Sequence, residues 1–354
     1  MNTMLRTYML ACLLWPASWV WAQVDKKTEM TAPAPANDAI AQQWAALKNL
    51  AAPQSVAKEA KVQVAAGYIQ QADKYKDFYT QYSQRPEAKE AECSEALALL
   101  YAARYDSTAQ KERRDQAVKG VRSDTTIPLS KRFEIAAIAD HFTARQQQGQ
   151  KMADRLSAYE KVERGLISEF PDVPYGFEAL LHVAEWSSDD IAARLAQELT
   201  DNKDTPAYVE KGARVLATRC TFVGRPLLDP LRPAVGAVIT PESIRGQKVI
   251  LYTWAAGNSS SLGLAQAIIK QAPPDAKLIG VNLDTDVSAA KAAAQKAKLP
   301  DLQLYNERGC ESPLAKQLNL TTAPLVYLVD RNGLVLSVSA QRDLKATLAS
   351  LAAL

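Results

Sequence analysis

Two hydrophobic periods divide the chain. From about Ala39 to Cys220, apolar residues recur three and four apart, as at Val56, Val62, Val64, Ala65, Tyr68 and Ile69. That spacing lines one face of an α-helix. Alanine and long charged residues, strong helix formers, fill the intervening positions, and glycine is sparse. Breaks are predicted at Pro86, Ser123-Asp124, Pro128, Pro171, Pro174 and Pro206. The stretch KVERGLISEFPDVPYGFEALLHVAEWSSDDIAARLAQEL predicts a helix, a corner at EFPDVP and two further helices. From Phe222 the texture changes. Strands are predicted at VILYTW (249–254), KLIGVNL (277–283), LQLY (302–305), LVYLV (325–329) and LVLSVSA (334–340), the last two joined by a hairpin turn at DRNG. Helices are predicted over Leu262–Gln271, Val287–Ala297, Ser312–Leu318 and Asp343–Leu351. The order βαβαβαββα implies a mixed sheet covered by helices. The expected fold class is therefore an all-helical hairpin domain (39–221) followed by an α/β domain (222–354).

The first residues follow neither period. Arg6 precedes an apolar run, Tyr8 to Val20, that is short for a bilayer span, and Val20-Trp21-Ala22 offers a small-residue exit. Residues 1–22 are expected to be a secretory signal cleaved after Ala22. Two alternatives are open: a lipidated Cys12, because Leu10-Ala11-Cys12 resembles a lipobox, and an uncleaved anchor. Residues 23–38, rich in alternating Ala and Pro, are expected to form a flexible tether. The mature chain is thus expected outside the cytoplasm, periplasmic or otherwise exported, touching a membrane only through a retained anchor or lipid.

Composition narrows the chemistry. A net charge of +3 over 354 residues, with acids and bases interspersed, gives no footprint for nucleic acid. Cys93, Cys220 and Cys310 remain beyond the signal, and no CxxC occurs. An odd number of cysteines leaves at least one unpaired within the chain; Cys93 and Cys220 are either core thiols or a pair across neighbouring helices. His141 and His182 lie far apart with no zinc-ligand spacing, so neither a metal nor another cofactor is expected.

The α/β half carries a resemblance. GQKVILYTWA (246–255), LIGVNLD (278–284) and TTAPLVYLVDRNGLVL (321–336) resemble the strands and the cis-proline segment of exported, TlpA-type thioredoxins of the redoxin superfamily. The resemblance implies a thioredoxin-like fold from about Val223 to Leu354, with Pro324 as the cis proline. It also exposes a loss. Asn258 and Ser261 stand where the family's two redox cysteines fall, Gly257 replaces an aromatic, and Leu264 and Gln266 replace an acid and a proline. The helical half is loosely similar to tetratricopeptide-like arrays, without a regular period. That similarity implies a concave surface for another protein, the alternatives being a spacer or a dimerisation domain.

An amide cannot be the attacking thiolate, and no histidine in the α/β half is present to activate a serine. Asn258, Ser259, Ser260 and Ser261 are favoured helix-capping types, which explains the stretch without a ligand. By the resemblance, Ala323 beside Pro324 would instead offer backbone to an extended peptide, with Trp254 as an aromatic wall. The function expected is a redox-silent binding or scaffold protein of the cell envelope with a protein or peptide partner. The alternative is a monothiol thiol-disulfide oxidoreductase or redoxin-type antioxidant protein acting through Cys310, which precedes a short helix capped by Ser312 or Glu311 and lies near Arg308. A purely oligomeric, structural role is a third reading.

Overall fold

The computed structural model describes residues 38–50, 61–146, 151–227 and 229–353. The signal, the possible lipid site at Cys12 and nearly all of the tether lie outside the described residues. No helix among the described residues is long and apolar enough to cross a membrane.

Nine helices fill the described part of residues 39–220: α1 (Ala39–Lys48), α2 (Lys61–Gln81), α3 (Glu87–Tyr105), α4 (Lys111–Ser123), α5 (Leu129–Gln146), α6 (Met152–Glu169), α7 (Tyr175–Trp186), α8 (Asp189–Asp201) and α9 (Ala207–Cys220). Pro86, Pro174 and Pro206 stand immediately before α3, α7 and α9, where a missing N–H costs nothing. Successive helices pack against one another. In α8 the buried stripe is Ala192, Leu195, Ala196 and Leu199.

A short helix, α10 (Pro241–Ile244), leads into the sheet. The strands are β1 (Lys248–Trp254), β2 (Ala276–Asn282), β3 (Gln303–Leu304), β4 (Val326–Val329) and β5 (Val335–Ser337), in the order β3-β2-β1-β4-β5. β1, β2 and β3 run parallel, while β4 and β5 are antiparallel to their neighbours. Helices α11 (Ser259–Gln271), α12 (Val287–Lys296), α13 (Pro313–Gln317) and α14 (Leu344–Ala353) complete the α/β part. With a cis peptide at Ala323-Pro324 before β4, this is the topology of a thioredoxin-like fold.

β1 is buried along its whole length, so its alternate side chains feed two cores. Ile250, Tyr252 and Trp254 join Ala265 and Ile268 of α11, Ala290 of α12, and Leu348 and Leu351 of α14. Val249, Leu251, Ile279, Val281, Tyr327 and Val329 face the other way. They share a single core with α13 and with Phe177, Leu180, Leu195 and Leu216 of α7 to α9. The texture changes at residue 222, but the apolar core runs across that point.

A polar seam reinforces this junction. Asp189, the first residue of α8, accepts hydrogen bonds from Ser337 Oγ (2.7 Å) and Val338 N (3.2 Å) on Oδ2, and from Ser339 Oγ on Oδ1. Arg342 lies 3.5 Å from the same carboxylate and donates to the Ser187 carbonyl. Burial pulls the Arg342 guanidinium down to about 10. This seam also corrects the predicted strand 334–340. The strand ends at Ser337, because Val338 N and the Ser339 hydroxyl turn to Asp189 and a 3₁₀ turn begins at Ala340. Removing the carboxylate leaves Arg342 buried without its ion pair. Asp189→Ala is expected to cost about 3–5 kcal/mol in chemical unfolding. A loss under about 1 kcal/mol would mean that the seam contributes little.

The connection 221–240 closes both sheet edges. Gly224, Arg225 and Leu227 pair with Val335 and Gly333 along β5, and Ala234 and Val235 pair with Tyr305 beyond β3. Unpaired strand edges invite association with other chains, and here the chain covers its own.

Candidate functional site

The turn between β1 and α11 lies at the end of the central strand. Asn258 is the N-cap of α11, with extended backbone, and its Oδ1 accepts from Ser261 N (3.0 Å). Its Nδ2 donates to the carbonyl of Ala323, 2.9 Å away, next to the cis proline. Ser261 is fully buried. Its Oγ accepts from Ala255 N (3.1 Å) and donates to Asn258 O (2.8 Å). Asn258 and Ser261 therefore close the turn by hydrogen bonds. Ser259 and Ser260 are exposed on the first turn of α11 and make no side-chain bond among the described residues.

Three groups that sequence reasoning left without a role hold this turn from beneath. Asp284 Oδ2 accepts from Ala256 N (2.7 Å) and from Asn282 Nδ2 (2.7 Å). Gln303 accepts from Trp254 Nε1 (2.8 Å) and donates to Tyr252 OH (3.0 Å) and Pro300 O (2.7 Å). Its amide fills the space over Gly280, where a Cβ would come within 1.9 Å of it, so a side chain there would displace the amide from its hydrogen bonds. A glutamine inside a short apolar strand was the signal available in the sequence.

Trp254 corrects an expectation. It is 0% exposed and sealed by Gln303 and Tyr305, so it shapes the turn from inside and forms no wall for a ligand. The aromatic ring points into the core because it falls on the same face of β1 as Ile250 and Tyr252. Burial likewise pushes the Tyr252 hydroxyl up to about 12. Ala323 and Pro324 are half-buried. The Ala323 N–H makes no hydrogen bond among the described residues, while its carbonyl is already engaged by Asn258.

The cysteines are distributed differently from the expected pair. Cys93 and Cys220 are free, buried thiols in separate apolar clusters, so no disulfide joins them. Their helices contribute them as small core residues. Burial raises Cys93 to about 12 and Cys220 to about 11. Cys310 is half-buried in a 3₁₀ turn, Gly309–Glu311. Ser312, not Glu311, caps the following helix by accepting from Ala315 N. Gly309 adopts φ +53° and lies against the Leu283 carbonyl, which seats the turn beside the end of β2. Buried thiols with raised pKa values carry almost no thiolate at neutral pH. In the folded protein at pH 8, iodoacetamide is expected to modify Cys310 and leave Cys93 and Cys220 untouched until the chain unfolds. Equal labelling of all three, read by peptide mass spectrometry, would contradict this burial pattern. The histidines are helix residues paired with Glu163 and Glu185, and no group of three potential metal ligands occurs among the described residues.

No family model matches the chain, and no curated protein matches it. Among solved structures, it is similar to a C-terminal domain assigned to a thiol-disulfide oxidoreductase from Bacteroides thetaiotaomicron (22% identity, 37% of this chain and 96% of that one, TM-score 0.32). It is also similar to a secreted disulfide oxidoreductase from Mycobacterium tuberculosis (18%, 35% and 97%, 0.28). A third is the thioredoxin domain of a thiol-disulfide oxidoreductase from Bacteroides vulgatus (16%, 37% and 97%, 0.30). Each covers about a third of this chain. The strand order and the cis proline define the class as thioredoxin-like; these similarities add nothing about chemistry.

Proposed function

We propose that the chain is an exported, redox-silent thioredoxin-fold protein that binds or scaffolds a protein partner. The observation that carries this reading is the turn at Asn258 and Ser261. An amide and a hydroxyl occupy the two thiol positions, and both are used to close the structure on itself. Neither group can form a mixed disulfide, and neither has a base beside it that would make it a nucleophile. What persists is a shaped surface: the exposed hydroxyls of Ser259 and Ser260 and the Ala323 N–H. Such a surface can hydrogen-bond an extended segment without exchanging electrons. The export part of the reading rests on the apolar N-terminal run and its Ala22 exit.

The test is turnover of a model protein disulfide by the purified mature chain with a dithiol reductant. The expected rate is that of the reductant alone. A rate near that of an ordinary thioredoxin would overturn the reading. If the same assay showed partial activity that Cys310→Ser abolished, the monothiol alternative would replace it.

A further inference from the structure

The seam between the helical array and the sheet contains a charge with no counterpart. Arg219, on the last turn of α9, is 4% exposed. It makes no hydrogen bond and no ion pair among the described residues, and its Nε is fully enclosed. Its charged neighbours are accounted for. Asp189 is held by Ser337, Val338, Ser339 and Arg342. Glu185, at the rim, is paired with His182 at 3.2 Å. Tyr327 donates its hydroxyl to the Leu318 carbonyl (2.6 Å), and Cys220 is a thiol buried beside it. Arg342 is a second cation in the same cluster, and its Nε is also enclosed without a partner. The one buried carboxylate, Asp189, thus pairs with Arg342 and leaves Arg219 without an ion pair.

Burying an unpaired cation is among the most costly things a fold can do. A neutral side chain of similar length would fill the same space without that cost. Arginine cannot relieve the cost by losing its proton, as a lysine can. A guanidinium in that position is suited to one thing, which is holding an acceptor of negative charge.

We propose that Arg219, with Arg342 as the neighbouring cation, binds a small inorganic anion of the chloride or phosphate class within this seam. The burial of the site excludes a macromolecular ligand. An anion there completes the charge balance of the junction and ties the helical array to the sheet, so that its concentration tunes the rigidity of the whole chain. This inference stands apart from the redox-silent reading, since it concerns the opposite face of the sheet.

Thermal unfolding of the full mature chain tests it. Sodium chloride and sodium phosphate are titrated separately against sodium gluconate at constant ionic strength. The wild-type midpoint is expected to rise saturably with one of the small anions, by about 4 °C when that anion reaches about a hundred times its dissociation constant. The anion that saturates at lower concentration identifies the class. Arg219→Met is expected to melt no lower than wild type in gluconate and to show no rise with either anion. A wild-type midpoint that ignores anion identity, or an Arg219→Met midpoint that rises as the wild type does, overturns the proposal. A measurement on the wild type alone guards against a variant that fails to fold. Crystals grown in bromide are expected to show an anomalous peak within about 3.5 Å of the Arg219 guanidinium. Where chloride is the stabilising anion, no peak there overturns the proposal. A peak seen only at molar bromide, without the melting shift, would mark an adventitious ion only, and also overturns it.

Discussion

Replacing Asn258 and Ser261 together by cysteine is expected to create a working dithiol at the start of α11. The two positions lie one turn apart at the start of α11, about 5–6 Å between Cα atoms, which a disulfide spans without moving backbone. The first thiol would sit at the N-cap of a thirteen-residue helix. Free N–H groups and the helix dipole favour its thiolate. With a pKa near 7 it is about half ionised at neutral pH, against about 3% for a thiol at 8.5, and, allowing for its lower intrinsic nucleophilicity, attack on a disulfide is roughly threefold faster. Oxidation should remove two hydrogen atoms (about 2 Da) by intact mass as the two electrons pass to the oxidant, and disulfide turnover should exceed that of either single variant. The reduced form should lose about 1–2 kcal/mol of stability, because the Asn258 cap and the Ser261 bonds disappear. Two thiols that stay reduced in oxidised glutathione, with labelling rates of ordinary cysteine, would show that the turn no longer has redox geometry.

The second large effect is expected on removing residues 1–221. The remaining fragment should not form a soluble, cooperatively folded monomer. On one face of its sheet, Val249, Leu251, Ile279, Val281, Tyr327 and Val329 share their core with α7 to α9. The α/β part supplies there α13, a helix of five residues and about 8 Å, Ile244 of the four-residue α10, and Leu227, Leu231 and Ile239 of the connection, for a five-stranded sheet about 19 Å wide. Each apolar side chain returned to water costs about 1.5–3 kcal/mol. Exposing even half of those six costs on the order of 5–9 kcal/mol, comparable with the whole stability of a small domain. Circular dichroism and sedimentation of the fragment give the answer. A monomer with a sharp melting transition would show that the helical array is an independent neighbour and not part of this core.

Much of this fold was legible along the chain. The period near 3.6 marks the helices up to Cys220, and the prolines mark where three of them start. The strands of VILYTW and LVYLV follow from apolar β-branched runs, and the cis bond at Pro324 follows from the resemblance. The candidate site was legible in type but less so in arrangement. Asn258 was recognisable as a capping residue, yet its second bond, to Ala323 across 65 positions, is set by the meeting of two loops. The resemblance implies Trp254 as an aromatic wall, yet it is enclosed, because both faces of β1 are covered by cores built from distant elements. LVLSVSA reads as one strand of seven residues, because alternation cannot register that Asp189, some 150 positions earlier, takes up Val338 and Ser339.

By itself, the sequence determined the local events: helix period, strand composition, caps, and the absence of paired thiols at a turn that resembles a redox site. Those depend on neighbours within a few residues, and short-range sterics and hydrogen bonding settle them. The tertiary structure alone decided which surfaces are inside. It joined the helical array to one face of the sheet, buried Arg219 at that junction, and closed both sheet edges with the 221–240 connection. Burial is a property of the whole packed chain, because each apolar face is covered by elements far away in sequence.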